Sequence, residues 1–188
     1  MIFETIVTSI DREQRPHIAP MGVREENGQV VLAPFRPSGT LDNVLATGCA
    51  TVNASDDVRV FAGCLTGRRD WPLVACEQTP CVRLDGALAH RELRLARVEQ
   101  DALRPRLYLD VVCERTHAPF RGFNRAQAAV LECAILVSRL HMLPAEKIDS
   151  ELAYLDIAID KTAGPAEREA WGWLLERIAA FRAGGETT

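Results

Sequence analysis

Between Ile2 and about His117 the hydrophobic positions come in short runs, each closed by a cluster of turn formers. Val30-Val31-Leu32 and Cys81-Val82-Arg83-Leu84 have strand length and composition. Asp11 through Pro16, Glu26-Asn27-Gly28, Arg36-Pro37-Ser38-Gly39 and Asp85-Gly86 punctuate the region. The clearest period-two stretch is 106–114. It sets Leu107, Leu109, Val111 and Cys113 on one face and Arg106, Tyr108, Asp110 and Glu114 on the other. Two short helices interrupt the strands: Thr40 through Leu45, and one opening at Asp56-Asp57, whose carboxylates suit the positive end of a helix dipole. Short turns without regular strand–helix alternation predict an antiparallel barrel or sandwich rather than a parallel sheet.

After His117 the period changes. Residues 124–142 read as one helix, apolar nearly all round, with Arg125, Glu132 and Arg139 forming a narrow polar stripe. Such a helix must be covered on most sides, in a bundle or against a second subunit. Pro144 opens a helix carrying Ile148, Leu152, Leu155 and Ile159. Gly164-Pro165 stops it and starts another with Trp171, Leu174, Ile178 and Phe181 on one face. The expected organisation is a β domain over 1–120, a three-helix subdomain over 121–183, and a disordered tail at 184–188.

Composition narrows the function classes. The chain has 188 residues, 47% of them apolar, and a net charge of −4. That balance argues against nucleic-acid binding, which needs clustered excess Lys and Arg. No run approaches the roughly 18 apolar residues of a membrane span, and no basic-then-apolar leader precedes Glu4, so a cytoplasmic protein is expected. The six cysteines (49, 64, 76, 81, 113 and 133) form no C-x-x-C and fit no zinc template, so reduced, structural thiols and no metal site are expected. P-loop, dinucleotide, G-x-S-x-G and H-E-x-x-H motifs are all missing, which points any chemistry toward a bound cofactor.

Pro34-Phe35-Arg36-Pro37-Ser38-Gly39-Thr40-Leu41-Asp42-Asn43 is the most informative stretch. It leaves an apolar strand, turns tightly and enters a helix. Arg36 brings a fixed positive fork, Ser38 and Thr40 bring hydroxyls, the helix amides follow, and Asn43 lies one turn on. Chemistry alone leaves two readings: a phosphate site without a P-loop, or a plain helix cap beside a solvated arginine. Arg115 and His117, at a strand end, likewise fit either a ligand anion or solvent.

The R-x-S-x-T-x-x-N pattern, followed by Ala50-Thr51-Val52-Asn53, resembles the phosphate loop and next strand of the FMN-binding split-barrel, flavin reductase-like superfamily. Ile18-Ala19-Pro20-Met21-Gly22-Val23, Asn53-Ala54-Ser55-Asp56-Asp57-Val58 with Phe61, and Arg121-Gly122-Phe123-Asn124-Arg125-Ala126 resemble one branch of it. That branch is a domain of unknown function with a helical C-terminal part, found mainly in archaea and methylotrophic bacteria. The resemblance covers about residues 2–183.

The resemblance implies an α+β fold: an antiparallel Greek-key split β-barrel with a C-terminal three-helix subdomain, homodimeric, with FMN between the subunits. Arg36, Ser38, Thr40 and Asn43 would hold the phosphate. Asn53 and the backbone of Met21, Gly22 and Val23 would lie along the isoalloxazine. Asn124 and Arg125 match the branch's helical motif and would either meet FMN or cap and flank their helix. The implied activity is hydride or electron transfer through the flavin, linked by the family's company to one-carbon or pterin chemistry. The alternative is a non-catalytic module that binds flavin or another anionic ligand and recruits a partner through its helices.

Overall fold

The computed structural model describes residues 1–184. They fall into two compact units, one of residues 1–55 and 71–120 and one of residues 56–70 with the chain from 121 onward. The first unit carries β1 (Phe3–Ile10), β2 (Pro16–Glu26), β3 (Gln29–Leu32), α1 (Gly39–Thr47), β4 (Cys49–Ala54), β5 (Leu73–Ala75), β6 (Val82–Leu84), β7 (Ala89–Glu99) and β8 (Arg106–Thr116). Six strands close a barrel in the order β1-β2-β3-β8-β7-β4, and β5-β6 form a separate hairpin. Every pairing is antiparallel. The meander β1-β2-β3, with β4 returning beside β1, is a Greek key.

Val7, Val23, Val30, Leu32, Ala50, Val52, Leu93, Leu107 and Leu109 fill the barrel, and Leu41 and Val44 of α1 join them. A short amphipathic helix gains most of its stability from such packing rather than from propensity. Ser38 caps the start of α1, and Gly48, at φ 73°, ends it with its amide on Val44. The face of β1 and β4 turned away from this core is covered by the β5–β6 hairpin: Ile10, Cys49 and Cys81 pack together there.

The predicted alternation over 106–114 holds through Leu109 and then changes. Leu93 pairs with Val111 but Glu92 pairs with Cys113, so Val112 is an extra residue and Cys113 turns to the face opposite the core. A β-bulge inserts one residue without any compositional mark, which is why period counting misassigns Cys113.

The second unit carries α2 (Val58–Leu65), α3 (Arg125–Val137), α4 (Ala145–Thr162) and α5 (Pro165–Arg182). The three predicted C-terminal helices are present, but residues 56–70 belong with them instead of extending the β domain unbroken over 1–120. Val58 and Ala62 join Val130, Cys133, Leu155 and Leu174 in one core. The helix expected over 124–142 stops at Val137. There the Ser138 hydroxyl donates to Ile135 O at 2.7 Å, and the Arg139 amide takes the Leu136 carbonyl, tightening the chain into a 3-10 turn at Leu140–Met142. This bundle covers α3 within its own unit, so the apolar girth of α3 no longer argues for a second subunit. Residues 185–188 of the expected tail lie outside the described residues. No helix among the described residues is long and apolar enough to cross a membrane.

Candidate functional site

The head of α1 is assembled from two loops. The Arg36 amide donates to Leu103 O at 2.9 Å, and Arg104 Nε donates to Ala33 O at 2.8 Å while its guanidinium covers the Phe35 ring. These bonds fix where the chain enters α1. Ser38 Oγ accepts the Leu41 amide at 3.2 Å, leaving its own O–H to donate. The Asp42 amide closes onto Ser38 O, so the leading amides of Gly39 and Thr40 have no partner inside the helix. Thr40 is buried, and its hydroxyl has no hydrogen-bond partner among the described residues. Arg36 is exposed and makes no ion pair among the described residues.

Asn43 differs from its neighbours. Its Nδ2 donates to the buried Ser9 Oγ at 3.1 Å, tying α1 to β1. The His17 ring stands 3.3 Å from where a Cβ on Gly39 would be. A larger residue at this position would make the imidazole shift by a few tenths of an ångström. Sequence reasoning missed His17, because nothing in its own stretch links it to a loop some twenty residues on.

Met21, Gly22 and Val23 lie on β2. Their side-chain faces are settled by pairing: Met21 and Val23 turn to the barrel core, so only their backbone can face a ligand. β1 pairs with β2 from Pro16 to Val23, and β3 reaches only Arg24–Glu26. The other edge of β2 through Met21–Val23 therefore carries no strand among the described residues. Pro16 and Pro20 suit such an edge, having no amide to leave unpaired. Ile2 packs so close to Gly22 that a Cβ there would stand 2.8 Å from its methyl.

Asn53 is not placed along any open surface. Fully buried under the hairpin, its Nδ2 donates to Ile6 O at 3.0 Å and Thr8 Oγ1 at 3.1 Å, and its Oδ1 accepts the Leu84 amide at 2.8 Å. Both ends of the amide are spent on holding β1, β4 and β6 together. Asn124 and Arg125 lie in the helical unit. Asn124 Oδ1 accepts the Ala126 and Gln127 amides as the cap of α3, and its Nδ2 donates to Thr162 O. Arg125 is exposed. Asp57 likewise caps α2, and Arg59 pairs with it at 2.8 Å.

A second polar cluster has no counterpart in the sequence reading. Glu92, on the covered face of β7, accepts the amides of Glu77, Gln78 and Thr79 at 2.6–2.8 Å and the Thr79 hydroxyl at 3.1 Å. Burial raises its carboxyl pKa, but the four donors outweigh that and hold it below the usual value. Arg115, read as facing either a ligand anion or solvent, forms a bidentate pair with Glu77, clamping the loop that supplies those amides. His117 meets His90, with Nε2 and Nδ1 2.8 Å apart.

Comparison with known proteins gives this architecture a family and a fold. A family model described as the N-terminal domain of a protein of unknown function, DUF447, matches residues 3–118, and the companion C-terminal model matches 124–176. The structure of an FMN-bound protein from Methanosarcina mazei, assigned to the same family model, superposes with a TM-score of 0.79 at 20% identity over 94% of each chain. The 2-nitrobenzoate 2-nitroreductase of Pseudomonas fluorescens superposes at 0.53 with 18% identity, over 61% of this chain and 64% of that one. An NADH:FAD oxidoreductase of Streptomyces globisporus does so at 0.52 with 14% identity, over 64% and 79%. The expected barrel with C-terminal helices is thus the fold of this chain, shared with flavin reductase-like proteins.

Proposed function

The chain belongs to the DUF447 family, and from that premise we propose that it is an FMN-binding oxidoreductase with its phosphate site at the head of α1. The observation that carries this reading is the Thr40 hydroxyl, buried without a partner among the described residues at a helix N-terminus whose leading amides have none inside the helix. A buried hydroxyl left unpaired costs free energy, and a phosphate oxygen supplies what it lacks. Arg36 brings a charge-assisted fork, and Ser38 an O–H not used by its cap. The edge of β2 along Met21–Val23 offers backbone groups to a planar ring system. Asn43, Asn53 and Asn124 are left out, because each already holds the fold together. FMN, when bound, supplies hydride and single-electron transfer. The FMN in the Methanosarcina mazei relative and the redox names of the other relatives support that choice.

The reading includes a second copy of the chain beside this site. Phe35 and Leu103 flank Arg36 at 56% and 60% exposure, an apolar rim that a partner subunit would cover.

The test is a fluorescence-quenching titration of flavin-free protein with FMN and with riboflavin. Each charge-assisted hydrogen bond to phosphate contributes ~1.5–3 kcal/mol, so FMN should bind at least about tenfold tighter. Arg36→Ala should remove most of that preference. Equal affinities for the two flavins would overturn the phosphate site. Anaerobic mixing with NADH or NADPH tests the activity: rapid bleaching supports an oxidoreductase, and a yellow protein that neither reduces would leave only a flavin-binding module.

A further inference from the structure

We propose that His90, Glu92 and Cys113 form a binding site for one divalent metal ion of the zinc type, set into the face of β7 and β8 turned away from the barrel core. The bulge at Val112 brings Cys113 directly opposite Glu92, with His90 two residues along on the same side of β7. One donor atom from each side chain lies within 4.8 Å of the others. The residues are 2%, 0% and 7% exposed.

Two observations indicate a missing ligand rather than a finished cluster. First, His90 Nε2 is buried and has no hydrogen-bond partner among the described residues. It stands 3.5 Å from Glu92 Oε1, too far for a good N–H···O bond. Two donors on one tetrahedral zinc, each about 2.0–2.2 Å from the ion, stand roughly 3.3–3.5 Å apart. The spacing therefore suits a shared ion better than a shared proton. Second, both side chains are already oriented from behind. The other nitrogen of His90 is held by His117, with the ring planes within 4° of parallel. Glu92 Oε2 takes three hydrogen bonds, whereas Oε1 takes only the Glu77 amide. That leaves an Oε1 lone pair for a cation. Such support behind the donors is what fixes the geometry of metal-ligating histidines and carboxylates.

The donor set of one imidazole, one carboxylate and one thiolate suits zinc, cobalt and their neighbours rather than magnesium or calcium. On binding, the Cys113 thiol loses its proton to solvent as the sulfur–metal bond forms. The thiolate and carboxylate then balance the dication, so the buried site carries no net charge. Three protein donors leave the fourth tetrahedral position to water.

The full-length protein, dialysed against chelator, is titrated with cobalt(II) and followed by difference absorption against the metal-free protein. One equivalent should bind, with a thiolate-to-cobalt charge-transfer band. Cys113→Ser should abolish the band, and Cys76→Ala should retain it. His117→Gln, at an exposed residue that would touch the ion only through His90, should weaken binding roughly 10–100-fold while far-ultraviolet circular dichroism stays unchanged. This last variant decides the matter if Cys113→Ser fails to fold. A folded wild type that takes up no cobalt would overturn the site. So would a band that survives in Cys113→Ser, or a His117→Gln protein that folds normally and binds cobalt as the wild type does.

Discussion

Asn53→Ala separates a structural role for this residue from the flavin contact its sequence context suggests. The Asn53 side chain is fully buried and makes hydrogen bonds to Ile6, Thr8 and Leu84. Thr8 Oγ1 keeps Val82 O as a partner, so the group most exposed to loss is the Leu84 amide. An orphaned buried N–H costs ~1–3 kcal/mol, and the small void left by the amide adds ~1 kcal/mol. The total, about 2–4 kcal/mol, should fall mainly on the β5–β6 hairpin that Leu84 anchors. Hydrogen exchange at the Cys76 amide, bonded across that hairpin to Cys81 O, should accelerate by about 30- to 1,000-fold at ~1.4 kcal/mol per decade. FMN affinity per folded molecule should stay within about threefold of wild type. A variant with unchanged exchange at Cys76 but a tenfold loss of FMN affinity would refute the reasoning and return Asn53 to the flavin.

Asn124→Ala removes the cap of α3 and should cost ~0.5–2 kcal/mol in urea unfolding, with FMN binding unaltered; a selective loss of FMN would make Asn124 a ligand. Arg125→Ala, at an exposed position, should change stability by less than ~0.5 kcal/mol and leave FMN affinity as it is, measured by the same two assays. Burial pushes the Cys64 and Cys133 thiols up to about 11 and about 12, so both stay protonated at pH 8. Alkylation of native protein at that pH, read by mass spectrometry, should spare these two and label them once denaturant is added; native labelling of Cys133 would contradict the burial argument.

Much of the fold is legible because period and punctuation are local properties. The turn at Glu26-Asn27-Gly28 and the Gly164-Pro165 break are written in residue types that few other conformations favour, and both stand where expected. What escaped was non-local. Val58 and Ala62 have the same apolar character whether their helix packs on a barrel or on α3 and α5, so the allegiance of residues 56–70 is decided by tertiary contact alone. The end of α3 at Val137 also had a local cause, the Ser138 hydroxyl turning back on Ile135, but serine inside an apolar run does not by itself announce a break.

The candidate site shows a sharper limit. Sequence motifs group residues by where they stand in the chain, whereas a ligand needs groups whose hydrogen-bonding capacity is still open. Of the three asparagine and serine side chains assigned to FMN besides Asn53, Asn43 and Asn124 are fastened to Ser9 and to the α3 backbone. Ser38 keeps a free O–H, and beside it Thr40 keeps an unspent hydroxyl and Arg36 an unpaired fork. The same criterion, applied to residues that no motif marked, picks out His90 Nε2 beneath the hairpin. No spacing rule finds it, because Cys113 reaches Glu92 only through a one-residue bulge and the supporting amides come from a loop some fifteen residues upstream. Unsatisfied buried polar atoms are rare in folded proteins and costly to keep. Among the described residues there are three: Arg106 Nε belongs to a guanidinium already paired with Glu26 and Glu99, whereas Thr40 Oγ1 and His90 Nε2 have no such compensation and are better explained by ligands than by tolerance of the cost.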